Sequence, residues 1–377
     1  MSYPSYPYGY WYPNNFAEPV LWTPLPFVYV LIVSGPALLF MVYLSYLTGR
    51  LRELLSLRLV VGLAMFLVIL IGPLADSRAP DNTWKAVVGP RLLPSDANPG
   101  FSLMAIQGIF FWVLGAAVSI LFTLLYFSYP MYLKYRQTKN PIYKIFSLGV
   151  SNEGRYRALE KVLKFLAFVG ILIMLSWLAY PATLFMQTYN FIWQNTMSLP
   201  IMFVIEKFVA DTAVVILIAL LVRYLLPKLE VELKPILAIV AIASAATIVV
   251  LLIQMGIWLV RFVGSPYYPA FTHLYGFLGV VLALYFIALV TSIASFRVIS
   301  LSVIAALAGL LAYFLNKWTF MIKAQEVAMT GLGVMEVALP LKVYLEIISV
   351  FALGIFLTML FISLFPIDFK PRRGERV

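Results

Sequence analysis

The sequence predicts an all-α integral membrane protein: a polytopic bundle of about nine transmembrane helices, N-terminus outside and C-terminus cytoplasmic. Three observations predict it. Hydrophobic residues make up 63% of the chain and charged residues 11%, with a mean hydropathy of +0.96, more apolar surface than a water-soluble domain can hide. Apolar runs recur at the ~20-residue length that crosses about 30 Å of hydrocarbon. Lysines and arginines gather in alternate connections between those runs.

In chain order, residues 1–23 open with MSYPSYPYGYWYPNN. This stretch lacks the charged start and apolar core of a signal peptide, and its tyrosines and prolines suit an extracytoplasmic segment lying at the interface. Nine apolar segments follow, at about 24–48, 57–75, 102–129, 163–184, 199–222, 236–260, 272–294, 298–316 and 341–364. Each is expected to be helical, because lipid offers backbone groups no other partner; Tyr180-Pro181 interrupts the fourth at its outer end. The transmembrane bundle thus spans 24–365, with an outer loop at 76–101, a basic cytoplasmic loop at 130–162 and a basic cytoplasmic tail at 366–377. No internal repeat stands out at the residue level, which counts against a transporter built of inverted halves.

Charge sets the orientation. One side holds Arg50, Arg52, Arg58, the eight cations of 134–164, Arg223, Lys228, Lys234, Arg297, Lys370, Arg372, Arg373 and Arg376. The other holds Arg78, Lys85, Arg91, Arg261, Lys317 and Lys323, and nineteen against six puts the first side in the cytoplasm. The net charge of +11 is therefore a topology signal that also suits anionic lipid, and implies no nucleic-acid partner. The basic loop at 130–162 reads as a solvated loop that enforces orientation.

The chain has no cysteine and one histidine, His273. It therefore ligates no iron–sulfur cluster, forms no thiolate zinc site and cannot hold haem between paired imidazoles.

Ionisable side chains inside spans cost about 2.5–3.5 kcal/mol each on insertion scales, so each needs a reason. They concentrate toward one surface. Asp76 ends the second segment and Gln107 begins the third; Glu206, Lys207 and Asp211 lie in the outer half of the fifth. Gln254 and Arg261 belong to the outer end of the sixth, His273 to the start of the seventh, Lys342 and Glu346 to the start of the ninth. Lys207 with Asp211, and Lys342 with Glu346, are spaced to pair along one helix face. Glu206 points about 100° away from Lys207, without a partner on its own helix. His273, in YYPAFTHLYGF, is able to exchange protons near neutral pH or to hydrogen-bond a ligand oxygen; equally, it reads as an interfacial residue among tyrosines. Trp84, Trp112, Trp193, Trp258 and Trp318 fall near the same surface, as belt residues or as walls for a flat ligand head whose tail runs into lipid.

The stretch Asp76-Ser77-Arg78-Ala79-Pro80, then Trp84, Ser102-Leu103-Met104 and Gly108, resembles the NrfD family, the membrane subunits of polysulfide reductase and related respiratory complexes. That family ends an early helix with Asp-x-Gly-Arg-Pro, follows it with an aromatic, and begins the next helix with Ser-Pro-Met and a nearby glycine. Here the glycine before the arginine is absent, the arginine is displaced by one position and leucine replaces the motif's proline. Leu199-Pro200-Ile201-Met202-Phe203 looks like the family's Pro-x-x-Phe helix entry. Asn316-Lys317-Trp318, Lys323-Ala324-Gln325 and Glu346 look like its longer members.

The resemblance implies a quinone-binding anchor subunit in the cytoplasmic membrane of a prokaryote. It would exchange electrons between the quinone pool and an extracytoplasmic ferredoxin-like iron–sulfur subunit, itself paired with a molybdopterin catalytic subunit. Under that reading Asp76, Gln107, Glu206 and His273 hold and protonate the quinone, with Lys207, Asp211, Gln254 and Glu346 behind them. Arg78, Trp84, Ser102 and Met104 face the partner, and the quinone, menaquinone-like or other, is the only cofactor. The alternative is a secondary transporter or ion-translocating membrane subunit, which requires polar groups to continue into the cytoplasmic half.

Overall fold

The computed structural model describes residues 35–52, 54–69, 110–187, 190–225, 229–230, 232–327, 331, 334, 341–367 and 370–371. Asp76, Arg78, Trp84, Ser102, Met104 and Gln107 lie outside these residues, as do segment 1–23 and the loop at 76–101; so do the side chains of Lys342 and Glu346.

The described chain is helical: α1 Gly35–Thr48, α2 Leu55–Val68, α3 Phe111–Thr138, the short α4 Pro141–Phe146 and α5 Glu153–Ala158, α6 Glu160–Gln187, and the single turn α7 Phe191–Gln194. Then come α8 Leu199–Leu225, α9 Lys234–Phe262, α10 Tyr268–Ala294, α11 Leu301–Met321, a 3-10 turn Lys323–Glu326 and α12 Leu341–Leu364. Among the described residues six helices are long and apolar enough to cross a membrane, and shorter apolar helices are described at Gly35–Thr48, Leu55–Val68 and Ile348–Leu364. A two-residue antiparallel pairing joins β1 Leu229–Glu230 to β2 Lys370–Pro371, tying the C-terminal tail to the α8–α9 connection.

Local chemistry sets the helix ends. Asn140 caps α4, Asn152 caps α5 and Asn190 caps α7, each side chain accepting a first-turn N–H, one of the donors a helix start leaves unpaired. Pro141, Pro235 and Pro269 sit in the first turns of α4, α9 and α10, where the missing N–H costs nothing.

Two prolines lie inside long helices, Pro130 in α3 and Pro181 in α6. Each lacks an N–H and so orphans the carbonyl four residues earlier, which an apolar environment requires another group to satisfy. The Tyr126 carbonyl accepts the Tyr156 hydroxyl at 3.1 Å. The Trp177 carbonyl accepts the Lys207 ammonium at 3.5 Å, and the next carbonyl, Leu178, accepts the same ammonium at 2.9 Å.

The long helices pack as two groups. Helices α1, α2, α3 and α6 form one, with α12 against α2; α8, α9, α10 and α11 form the other. Helix α8 also packs on α6 and α1 and is the seam between them. Small residues allow the closest approaches: a Cβ on Gly35 would stand 2.7 Å from the Phe66 nitrogen, and one on Gly309 of α11 would stand 2.8 Å from Val209 Cγ1 on α8. Outside, Ile242, Val249, Ile253 and Val260 form an exposed, uncharged stripe along α9, a surface that suits lipid rather than water.

Candidate functional site

Helix α8 carries Glu206, Lys207 and Asp211, and all three are 0% exposed. Successive residues on a helix diverge by about 100°, so these side chains reach different neighbours. Lys207 turns to the first group and fills the carbonyl gap at Pro181. Asp211 turns the same way, its Oδ2 accepting the Leu38 amide of α1 at 3.0 Å. The spacing of Lys207 and Asp211 thus does not produce a direct intrahelical ion pair: Asp211 Oδ1 has no hydrogen-bond partner among the described residues, and the ammonium goes to backbone carbonyls.

Glu206 turns to the second group. Its carboxylate forms an ion pair with Lys317 of α11, accepts the Asn316 amide at 2.5 Å and the Tyr285 hydroxyl of α10 at 3.2 Å. Lys317, also 0% exposed, stands 3.0 Å from the centroid of the Phe203 ring and 5.1 Å from that of Tyr313. A carboxylate with three donors and an ammonium held between aromatic faces is the kind of pair that survives burial. Counting charges by connection places Lys317 outside the membrane; the structure corrects this, because α11 runs on to Met321 and carries Lys317 inside the bundle. Arg58, counted as a cytoplasmic charge, is likewise buried, and donates to the Leu51 carbonyl.

A second polar cluster lies nearer the same end of the bundle. His273 Nε2 meets Glu326 Oε2 at 2.9 Å and Lys323 Nζ meets Glu326 Oε1 at 2.6 Å. The Glu326 side chain is 2% exposed, whereas His273 and Lys323 are 25% and 23% exposed, so a buried carboxylate is linked to the outside through groups that are partly open. Lys323 also lies 5.3 Å from the Phe277 ring centroid. Glu326 was missed from sequence because it ends a polar run, Lys323-Ala324-Gln325-Glu326, that reads as an ordinary connection. Nothing local in the sequence distinguishes it.

Gln254 has a supporting position. Its Oε1 accepts both the amide and the hydroxyl of Ser198, at 3.1 and 2.7 Å, and its Nε2 donates to Asn195 at 3.3 Å. It thereby pins the entry to α8 onto α9. Trp258 donates to the same Asn195 carbonyl at 3.0 Å and Trp193 donates to Phe320. Both indoles are buried, which corrects their reading as interfacial belt residues. Glu206, Gln254 and His273 therefore lie in polar clusters at one end of the second helix group. Among the described residues no group of three or more His, Cys, Asp or Glu side chains is arranged to hold a metal ion.

The family model described as polysulphide reductase, NrfD, matches residues 12–328, which takes in both groups of helices and both polar clusters. The chain belongs to the NrfD family. The family match stops before α12 of this NrfD chain. A relative extends further: a subunit of the tetrathionate reductase of Archaeoglobus fulgidus is 34% identical over 367 residues, covering 97% of this chain and 98% of that protein. A match of that extent includes α12. The family and this relative make the NrfD chain a multi-pass membrane protein of the kind found as reductase subunits.

Proposed function

We propose that this NrfD chain is the quinone-reactive membrane subunit of a reductase complex whose substrate contains sulfur–sulfur bonds, tetrathionate or polysulfide. It exchanges electrons between the quinone pool and an extracytoplasmic iron–sulfur subunit joined to a molybdopterin catalytic subunit. The observation that carries this reading is the His273–Glu326–Lys323 cluster, a buried carboxylate held by two partly exposed groups that donate or exchange protons. The full-length similarity to part of a tetrathionate reductase supports the choice of substrate.

The donor set fits a quinone head: a histidine and a lysine to hydrogen-bond its oxygens, a carboxylate to hold a proton, and the Phe277 ring nearby. When bound, the quinone supplies two-electron, two-proton chemistry. The chain's own task is to hold and move the protons. His273, between Glu326 and the outside, passes a proton in either direction; Lys323 keeps the carboxylate oriented. Deeper in, Glu206 and Lys317 fix the relation of α8 to α11, and Gln254 fixes the entry to α8. Asp76 and Gln107 belong to the same proposed pocket, with Arg78, Trp84, Ser102 and Met104 facing the partner. The surface bearing His273 is extracytoplasmic, the basic end of the bundle cytoplasmic, and the number of crossings nine.

The transporter alternative requires charged groups to continue through the other half. Among the described residues Arg58 is the one buried charged side chain there, which supports the quinone reading. The test is the purified complex assayed with a quinol and with an artificial dye. Glu326→Gln and His273→Ala are expected to slow quinol-linked reduction while dye-linked reduction continues. Unimpaired quinol turnover in both variants would remove the cluster from the mechanism, and purification without a cysteine-rich iron–sulfur protein would argue for the transporter.

A further inference from the structure

We propose that a cavity at the basic end of the bundle, remote from the His273 cluster, binds the phosphate headgroup of an anionic membrane phospholipid. The cavity has a volume of about 560 Å³, and its lining includes Tyr46, Arg52, Tyr126, Arg157, Glu160 and Lys164. It lies where the end of α1 and the start of α2 meet α3, α5 and the start of α6.

Charge, donor geometry and apolar continuity together favour this ligand. Three cations line the cavity against one carboxylate. Arg157 and Lys164 form ion pairs along their own helices, with Glu153 at 2.7 Å and Glu160 at 2.8 Å, all of them substantially exposed. Exposed pairs of this kind contribute little, so an incoming phosphate competes with them at small cost. The Arg52 guanidinium makes no hydrogen bond or ion pair among the described residues, although it feels the field of Glu160. Its forked donors match two phosphate oxygens at once, and Tyr46 and Tyr126 line the same cavity.

The acyl chains have a continuous path. On α6, Glu160, Lys164, Phe168, Leu172 and Leu175 follow one another at the spacing of a single helix face. The last three are 55%, 55% and 52% exposed. A stripe that begins with charge beside the cavity and continues as exposed apolar surface joins a headgroup site to a face suited to acyl chains, which a free phosphate ion would not need. Basic pockets between membrane helices commonly hold acidic headgroups in this way.

The test uses the full chain in its complex, stripped of lipid in detergent and re-equilibrated with mixed micelles of phosphatidylglycerol and phosphatidylcholine, with bound lipid counted by native mass spectrometry. Retention of phosphatidylglycerol over phosphatidylcholine is expected, with about tenfold weaker retention in Arg52→Gln. Lys164→Gln, which changes a half-exposed side chain, is expected to weaken it as well and carries the test if Arg52→Gln does not fold. Equal retention of the two lipids, or undiminished retention in the variants, would overturn the proposal. Displacement of the lipid by millimolar inorganic phosphate would replace it with a free-anion site.

Discussion

Glu206 and Lys207 are adjacent in the sequence, both completely buried, and bound to opposite groups of helices. Glu206 is held by Lys317, Asn316 and Tyr285 of the second group; Lys207 is held by the Trp177 and Leu178 carbonyls of the first. One turn of α8 thus fastens the two groups through charge, and removing either attachment should be felt across the seam.

The first prediction concerns the Glu206–Lys317 pair. Breaking a buried pair strands one charge and costs about 3–5 kcal/mol, whereas replacing both members with apolar residues is often near neutral. Glu206→Leu and Lys317→Met are each expected to lower the thermal unfolding midpoint of the purified protein, and the double variant to recover part of the loss. Additive losses would mean that the two side chains do not act as a pair.

Lys207 should depend on Pro181. In the native chain, Lys207→Met leaves the Trp177 carbonyl, which Pro181 orphans, without its donor, a loss of about 1–3 kcal/mol for an unsatisfied buried group. Pro181→Ala returns an N–H to the Trp177 carbonyl, so Lys207→Met is expected to cost less in that background. The comparison of the four proteins by thermal unfolding in one detergent decides it; an equal cost in both backgrounds would sever the link.

Gln254→Leu is expected to loosen the entry to α8 by removing the acceptor of both Ser198 groups and the donor to Asn195. The magnitude expected is about 1–3 kcal/mol, with Gln254→Glu milder because it keeps the acceptor. Hydrogen exchange at the amides of 195–198 is the direct measurement: faster exchange confined to that segment is the expected result.

The His273 cluster gives a kinetic prediction. General acid–base groups typically contribute a factor of about 10²–10⁴, so Glu326→Gln should reduce quinol-linked turnover by at least about tenfold. Lys323→Gln, which leaves the carboxylate and its histidine in place, should have a smaller effect. Equal losses from the two substitutions would point to a structural role for the cluster.

Much of this arrangement was legible in the sequence. Each predicted apolar segment overlaps a described helix, because long uncharged runs leave the backbone no alternative. The gathering of costly polar residues toward one end was also readable. Tyr180-Pro181, read as an interruption, lies instead inside α6, which continues to Gln187, and the donor that Pro181 calls for was hidden because it comes from Lys207, on another helix. The partners of Glu206 were hidden for the same reason, since periodicity reports neighbours on one helix and Lys317 is 111 residues away. Trp193 and Trp258 misled because tryptophan near a membrane surface usually faces it, whereas here the α7 turn and the end of α9 fold both indoles inward. The loop motifs that carried the family resemblance lie outside the described residues, so the resemblance rests on the match over 12–328 rather than on their geometry.

The separation of Glu206 from Lys317 also bears on how the protein is made. A ribosome adding about 5–20 residues per second completes Lys317 roughly 5–20 s after Glu206, whereas the carbonyls that receive Lys207 are already synthesised when that lysine emerges. Helix α8 therefore meets the bilayer with its cation's partners available and its carboxyl's counter-ion still unmade. The pair that fastens α8 to α11 can therefore close only after α11 has followed α8 into the bundle.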